Sequence, residues 1–393
     1  MHRVIRSALV CAAVIFVVIG ANQPAAAGSR WHPREGHSHA RERHSHKRQR
    51  QSVPQGTQRY ELAVFEWHQL SRLDDEVAGR LRWLRSEGFT TVYADFGEYI
   101  EAADEGLTLD QLGSDLQHFV AYASSLGFEV HAVGGGPNWI DEDLRYLATM
   151  LVELVGDYNT DATREERLRG VQFDIEPQAD PAFQVPANRP AMLRAWLTTL
   201  QSVIATYRGV REQDGNSGLR LGIAIPFWFD DEPEAAPWVV FPEGAPTLPK
   251  PATFHLFDML VDLPNAYVVV LSYRNFTDGP DGSIAHAQDE FIYARDHDAQ
   301  FGIVVGQEFT NVRPEKVTFW CRGRAAFRQA AAEITDFFGA DYPQFRGLSV
   351  NDMDAYLATP EYVVSSRSRI MGGWRTSPRC YGLGAGSPFV TGR

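Results

Sequence analysis

The sequence predicts an α/β fold: a single eight-stranded (β/α) barrel preceded by a disordered His/Arg-rich linker. Three observations carry this expectation. Eight short apolar runs alternate with helical stretches between residues 62 and 356. Hydrophobic residues make up 44% of the chain and charged residues 22%, the balance of a chain that buries a core. The 393 residues also suit one long barrel domain as readily as two or three shorter ones. An open parallel sheet is the alternative, because periodicity alone does not show closure.

The chain reads as three parts: 1–27, 28–58 and 59–393. Residues 1–27 have the form of a secretory signal, with Arg3 and Arg6 before an apolar stretch at 8–20. Ala25, Ala26 and Ala27 then supply the small residues of a cleavage site before Gly28. The apolar stretch is shorter than the ~20 residues a spanning helix needs, so stable membrane insertion is not expected. Residues 28–58 hold five His and seven Arg or Lys with one large apolar side chain, Trp31. Nothing there can bury a core, so a disordered, solvated tether is the simplest reading. Its His-Ser-His pairs also suit a soft divalent metal, and its cations suit anionic envelope polymers.

Charge divides the same way. The first 58 residues carry +7, which leaves −20 on the rest of a chain whose net charge is −13. An acidic body argues against nucleic acid as a partner, since phosphate contact needs clustered cations. Export would remove Cys11 and leave Cys321 and Cys380, either as one disulfide pinning the C-terminal tail or as two free thiols.

The body justifies itself strand by strand. The first predicted strand, 62–67, runs out into Glu66, Trp67 and His68, and a helical pattern follows at 74–86. The second, 90–95, ends at Asp95 before a helix at 109–126. The third, 129–133, meets Gly134, Gly135 and Gly136 and then Trp139, before a helix at 141–154. The three glycines lack the spacing and the Lys of a phosphate loop and instead let backbone approach a ligand closely.

The fourth strand, 170–176, is the most informative. Val171, Phe173 and Ile175 alternate with Gln172, Asp174 and Glu176. The apolar set fits the helix layer, which turns the polar set into the barrel and places Glu176 at its C-terminal mouth. Burying two carboxylates there costs several kcal/mol each unless they are paired. Active sites of this architecture sit at that mouth, so catalysis is the economical explanation.

A helix at 189–207 leads to the fifth strand, 219–226, with Trp228 and Asp230 beyond it. The Pro-rich acidic segment 230–257 reads either as a lid or substrate wall overhanging the mouth or as a plain insertion. The sixth strand, 266–273, ends in Ser272, Tyr273 and Arg274. The seventh, 302–308, ends in Gln307 and Glu308. After a helix at 324–338, the eighth, 347–351, ends in Asn351 and Asp352. Together these ends describe a rim of carboxylates, tryptophans and a tyrosine. Aromatic faces stack on sugar rings and carboxylates accept from hydroxyls, so the rim suits a carbohydrate. The candidate substrate-binding residues are Glu66, Trp67, Asp95, Trp139, Trp228, Arg274, Asn351 and Asp352.

Other chemistries lack their signatures. The body shows no zinc-type His or Cys spacing, and no cofactor is required. No Gly-x-Ser-x-Gly elbow marks a serine hydrolase. Lys250 and Lys316 lie outside the strands, so no interior Lys is placed to form a Schiff base.

The stretch 170–177 resembles the fourth-strand motif of chitinase-like family 18 glycoside hydrolases, in which an Asp-x-Glu closes a run of alternate aspartates. The resemblance implies that Glu176 is the general acid and Asp174 its neighbouring carboxylate. Gly134–Gly136 and the Leu271-Ser272-Tyr273 run are similar to that family's third- and sixth-strand motifs, which implies that Tyr273 contacts the substrate. Arg169 and Gln172 stand where two earlier aspartates are usual, and Arg274 where an Asp or Asn follows the Tyr. Glu176-Pro177 and Glu308 are also similar to the retaining-glycosidase barrel clan, with a fourth-strand acid/base and a seventh-strand nucleophile; Ile175 replaces the usual Asn. The resulting expectation is a secreted glycoside hydrolase acting on a polysaccharide through Glu176, Asp174, Glu308 and Tyr273. The alternative is a non-catalytic carbohydrate-binding barrel.

Overall fold

The computed structural model describes residues 60–68, 73–106, 114–230 and 232–362. The expected signal and linker, Cys380 and residues 109–113 of the second expected helix lie outside the described residues. Eight parallel strands close in chain order: β1 (Glu61–Glu66), β2 (Thr91–Asp95), β3 (Glu129–Gly134), β4 (Gly170–Phe173), β5 (Arg220–Pro226), β6 (Ala266–Leu271), β7 (Gly302–Gln307) and β8 (Phe345–Val350). Pairing of β1 with β8, from Glu61–Gly347 to Val64–Val350, makes the sheet a closed barrel and disposes of the open-sheet alternative.

The helices between them are α1 (Asp75–Ser86), α2 (Gly97–Asp104), α3 (Ser114–Ser125), α4 (Tyr146–Asp161), α5 (Arg189–Arg211), α6 (Ala252–Leu260), α7 (Ser283–Asp296), α8 (Arg324–Asp341) and α9 (Met353–Ala358). Local chemistry starts several of them. Asp74 accepts from the Glu76 and Val77 amides at the head of α1, and Asp352 accepts from the Ala355 amide at the head of α9. The segment 230–257 is not all overhang: its last residues form α6, and an antiparallel bridge between Val239 and Lys250 ties the excursion together.

Strand alternation sorts the core into two parts. Val64, Val92, Val130, Val171, Phe173, Ile223, Val268, Ile303 and Val350 pack outward with the helices. Ala63, Phe65, Tyr93, Val133, Ala224, Tyr267, Val269 and Val304 pack against each other inside the barrel. Below this interior cluster the N-terminal end is plugged by polar groups. Arg220 meets Glu61 at 2.8 Å and Glu129 at 3.0 Å, its guanidinium lies 4.6 Å from the Tyr267 ring centroid, and His131 bonds the Tyr267 hydroxyl at 2.8 Å. With this end filled, the opposite end is the one left to bind.

Candidate active site

The inward parity of β4 continues past its last paired residue. The Asp174 amide donates to the Gly134 carbonyl at 3.0 Å, which keeps the chain in line while Asp174 and Glu176 reach the mouth. Gly135 makes that course possible. A Cβ on it would lie 2.4 Å from the Asp174 carbonyl oxygen, so the glycine lets two backbones pass, where the sequence suggested close approach to a ligand. Gln172, one inward position deeper, fills space above Gly222, where a Cβ would come within 1.8 Å of its Oε1.

Four functional groups converge there from three strands. Asp174 and Glu176 follow β4, Tyr273 follows β6 and Glu308 follows β7. Asp174, Glu176 and Tyr273 keep part of their surface open, whereas Glu308 is fully enclosed. Burial pushes Asp174 up to about 6. Burial pushes Glu176 well above the usual carboxylate range, reinforced by the charges of Asp174 and Glu308 and opposed by a hydrogen bond from Gln178. Glu176 is therefore biased toward its protonated form. Glu308 is also raised by burial, but its donors oppose the shift: the Phe309 and Thr310 amides on Oε1 and the Asn351 amide, at 2.8 Å, on Oε2. Burial and then Glu308, Asp174 and Glu176 raise the Tyr273 hydroxyl, so it stays a neutral donor.

The expected rim residues divide into three groups. Asn351 reaches the centre through Glu308, and Trp67 supports it by donating to the Asn351 carbonyl at 2.6 Å while stacking on Phe65. Asp95 accepts from the Gly97 amide at the end of β2 and is raised by burial, and Trp228 is partly exposed against Phe183 and Phe229. The remaining four are occupied elsewhere. Trp139 is buried in the helix-side core, Asp352 caps α9, and Arg274 pairs with Asp281 at 2.8 Å over the Phe227 ring. Glu66 has the outward parity of β1 and lies among Asp354, Arg80 and Asp352, where burial lifts it to about 8.

Gln178 was not singled out in the sequence. It bonds Glu176 at 2.8 Å from a 3-10 turn, Pro177–Ala179, that begins right after the acid. Only its nearness to Glu176 could have marked it. Among the described residues, no group of three or more His, Cys, Asp or Glu could hold a metal ion, and no helix is long and apolar enough to cross a membrane.

No protein-family model matches the chain, and no curated protein sequence matches it. Solved structures superpose on it in part. A GH18 chitinase from Pseudoalteromonas aurantia superposes with a TM-score of 0.45 at 11% identity, covering 74% of this chain and 93% of that one. The catalytic domain of a beta-amylase from Paenibacillus polymyxa gives 0.45 at 10% identity, over 76% and 93%. A chitinase from Chromobacterium violaceum gives 0.41 at 11% identity, over 78% and 100%. The chain's own strand order is what makes it an eight-stranded (β/α) barrel.

Proposed function

We propose that the protein is an exported glycoside hydrolase that cleaves a polysaccharide with Glu176 as general acid. One observation carries the reading: Glu176, raised by burial and by its neighbouring carboxyls, stands at the barrel mouth with a second carboxyl, Glu308, that accepts three hydrogen bonds. Glycosidic cleavage needs one carboxyl to give a proton and a second to act as nucleophile or base. Glu176 gives its proton to the leaving oxygen as the bond to the anomeric carbon breaks. Glu308, enclosed in this structure, attacks that carbon after a side-chain movement at the mouth uncovers it, and water then hydrolyses the glycosyl-enzyme with Glu176 acting as base. Asp174 keeps the Glu176 proton in place, and Tyr273 donates to the sugar.

Gln172 and Arg274 weigh against the substrate-assisted alternative. Gln172 supplies no carboxylate beneath Asp174, and Arg274 is committed to Asp281. The binding-only reading draws on Arg169 and Gln172 and on the burial of Trp139; it predicts glycan binding with no bond cleaved.

Paired variants test the proposal. Glu176→Gln should lower turnover by about 10²-fold or more, since general acid catalysis contributes at least that much. Glu308→Ala should be comparably severe, with azide restoring turnover by replacing the lost carboxylate. Full activity in Glu308→Ala, confined to 2-acetamido sugars, would assign the attack to the substrate instead.

A further inference from the structure

We propose that Gln178 is a positioning residue for Glu176 and, through its free carbonyl, a contact for the glycan. The assignment rests on the glycosidase reading above and adds to it a residue that reading does not need.

Gln178 is delivered to the acid by backbone geometry. Pro177 opens the 3-10 turn with its φ already fixed, and the Ala179 amide closes back onto the Glu176 carbonyl at 2.9 Å. The two ends of the Gln178 side chain then do different things. Its Nε2 donates to Glu176 Oε1 at 2.8 Å. Its Oε1 is buried and accepts no hydrogen bond among the described residues.

The first end has a chemical consequence. An oxygen that accepts an amide N–H presents a lone pair, so the proton of neutral Glu176 resides on the other oxygen, Oε2. During cleavage the Oε2–H bond breaks and the proton joins the glycosidic oxygen, which takes the electron pair of its bond to the anomeric carbon. The negative charge left on Glu176 is stabilised by the same N–H, a charge-assisted bond stronger than the neutral one it replaces. Gln178 thus favours the state that follows proton transfer.

The second end identifies a ligand chemistry. Natural proteins leave few buried carbonyls without a donor. This one lies a single amide group away from the acid, so the donor it fits is a hydroxyl or amide N–H of the sugar bound beside Glu176.

Two variants separate the ends. Gln178→Met has similar length with neither donor nor acceptor; Gln178→Glu keeps acceptors and loses the donor. The protonated-carboxyl band of Glu176 is followed by infrared pH titration, assigned by its loss in Glu176→Gln. In Gln178→Met the band should titrate at higher pH, because the bond that holds Glu176 down is gone. On the glycan cleaved by wild type, kcat should fall about tenfold or more. KM should rise severalfold in Gln178→Met and less in Gln178→Glu. A Glu176 band that titrates alike in wild type and both variants overturns the positioning role. Unchanged KM in Gln178→Met overturns the glycan contact. A shifted band in a protein that cleaves no glycan leaves the coupling standing, and it rejects the glycosidase reading together with the catalytic half of this assignment.

Discussion

Glu66 and Glu176 are both carboxyls raised by burial, yet they sit on opposite faces of the barrel wall. Glu176 faces the mouth, where a retained proton has a use. Glu66 faces the helices with its Oε2 buried and unpaired among the described residues, and it burdens stability. The sign follows from linkage. A carboxyl near 4.5 in the unfolded chain and about 8 in the folded protein binds more protons when folded. Its contribution is most favourable below the unfolded value and declines as pH rises through that window. Glu66→Gln removes the titration, so urea unfolding should show the variant gaining on wild type from about pH 5 to about pH 8. A stability difference that stays flat with pH would show that Glu66 ionises normally. Asp174, pushed up to about 6, imposes the same slope over a narrower range.

Among the elements, each strand existed in the sequence as an apolar run, and the alternation in β4 correctly oriented its polar residues. Ends were less legible. β4 pairs only as far as Phe173, opposite Gly134, and the chain keeps its course beyond through the Asp174 amide on the Gly134 carbonyl, a partner some forty residues away in the chain. Helices α2, α6, α7 and α9 carried weak signals: α2 and α9 are short, α7 is largely polar, and α6 lies in a Pro-rich stretch. Side-chain commitments were the least legible. Asp281 holds Arg274, and the turn Pro137–Ile140 folds Trp139 into the core; neither is a property of spacing. Glycines mark where elements crowd. Gly222→Ala should cost about 1–3 kcal/mol, because its Cβ would collide with Gln172 and Tyr267 in the closed interior. Chemical denaturation measures this, and a neutral variant would mean that Gln172 is free to move aside.

The whole molecule is polarised along the barrel axis. Its N-terminal end is locked by Arg220 between Glu61 and Glu129, and its C-terminal end gathers the groups proposed for catalysis. Arg220→Met should cost about 3 kcal/mol, because it strands two partly buried carboxylates, and it should leave Glu176 and Glu308 in place. Cys321 is disulfide-bonded, and Cys380, which the sequence offers either as its partner or as a second free thiol, lies outside the described residues. Export, proposed from the leader, predicts a mature N-terminus at Gly28. The claim that joins these features is hydrolysis at the mouth. Its most direct test is mass spectrometry of a glycan panel incubated with the mature protein in heavy-oxygen water, wild type beside Glu176→Gln. The account predicts fragments from wild type with one heavy oxygen at each new reducing end, and intact glycan from the variant. Glycans that bind but stay intact with wild type, or fragments that Glu176→Gln releases equally well, would contradict it.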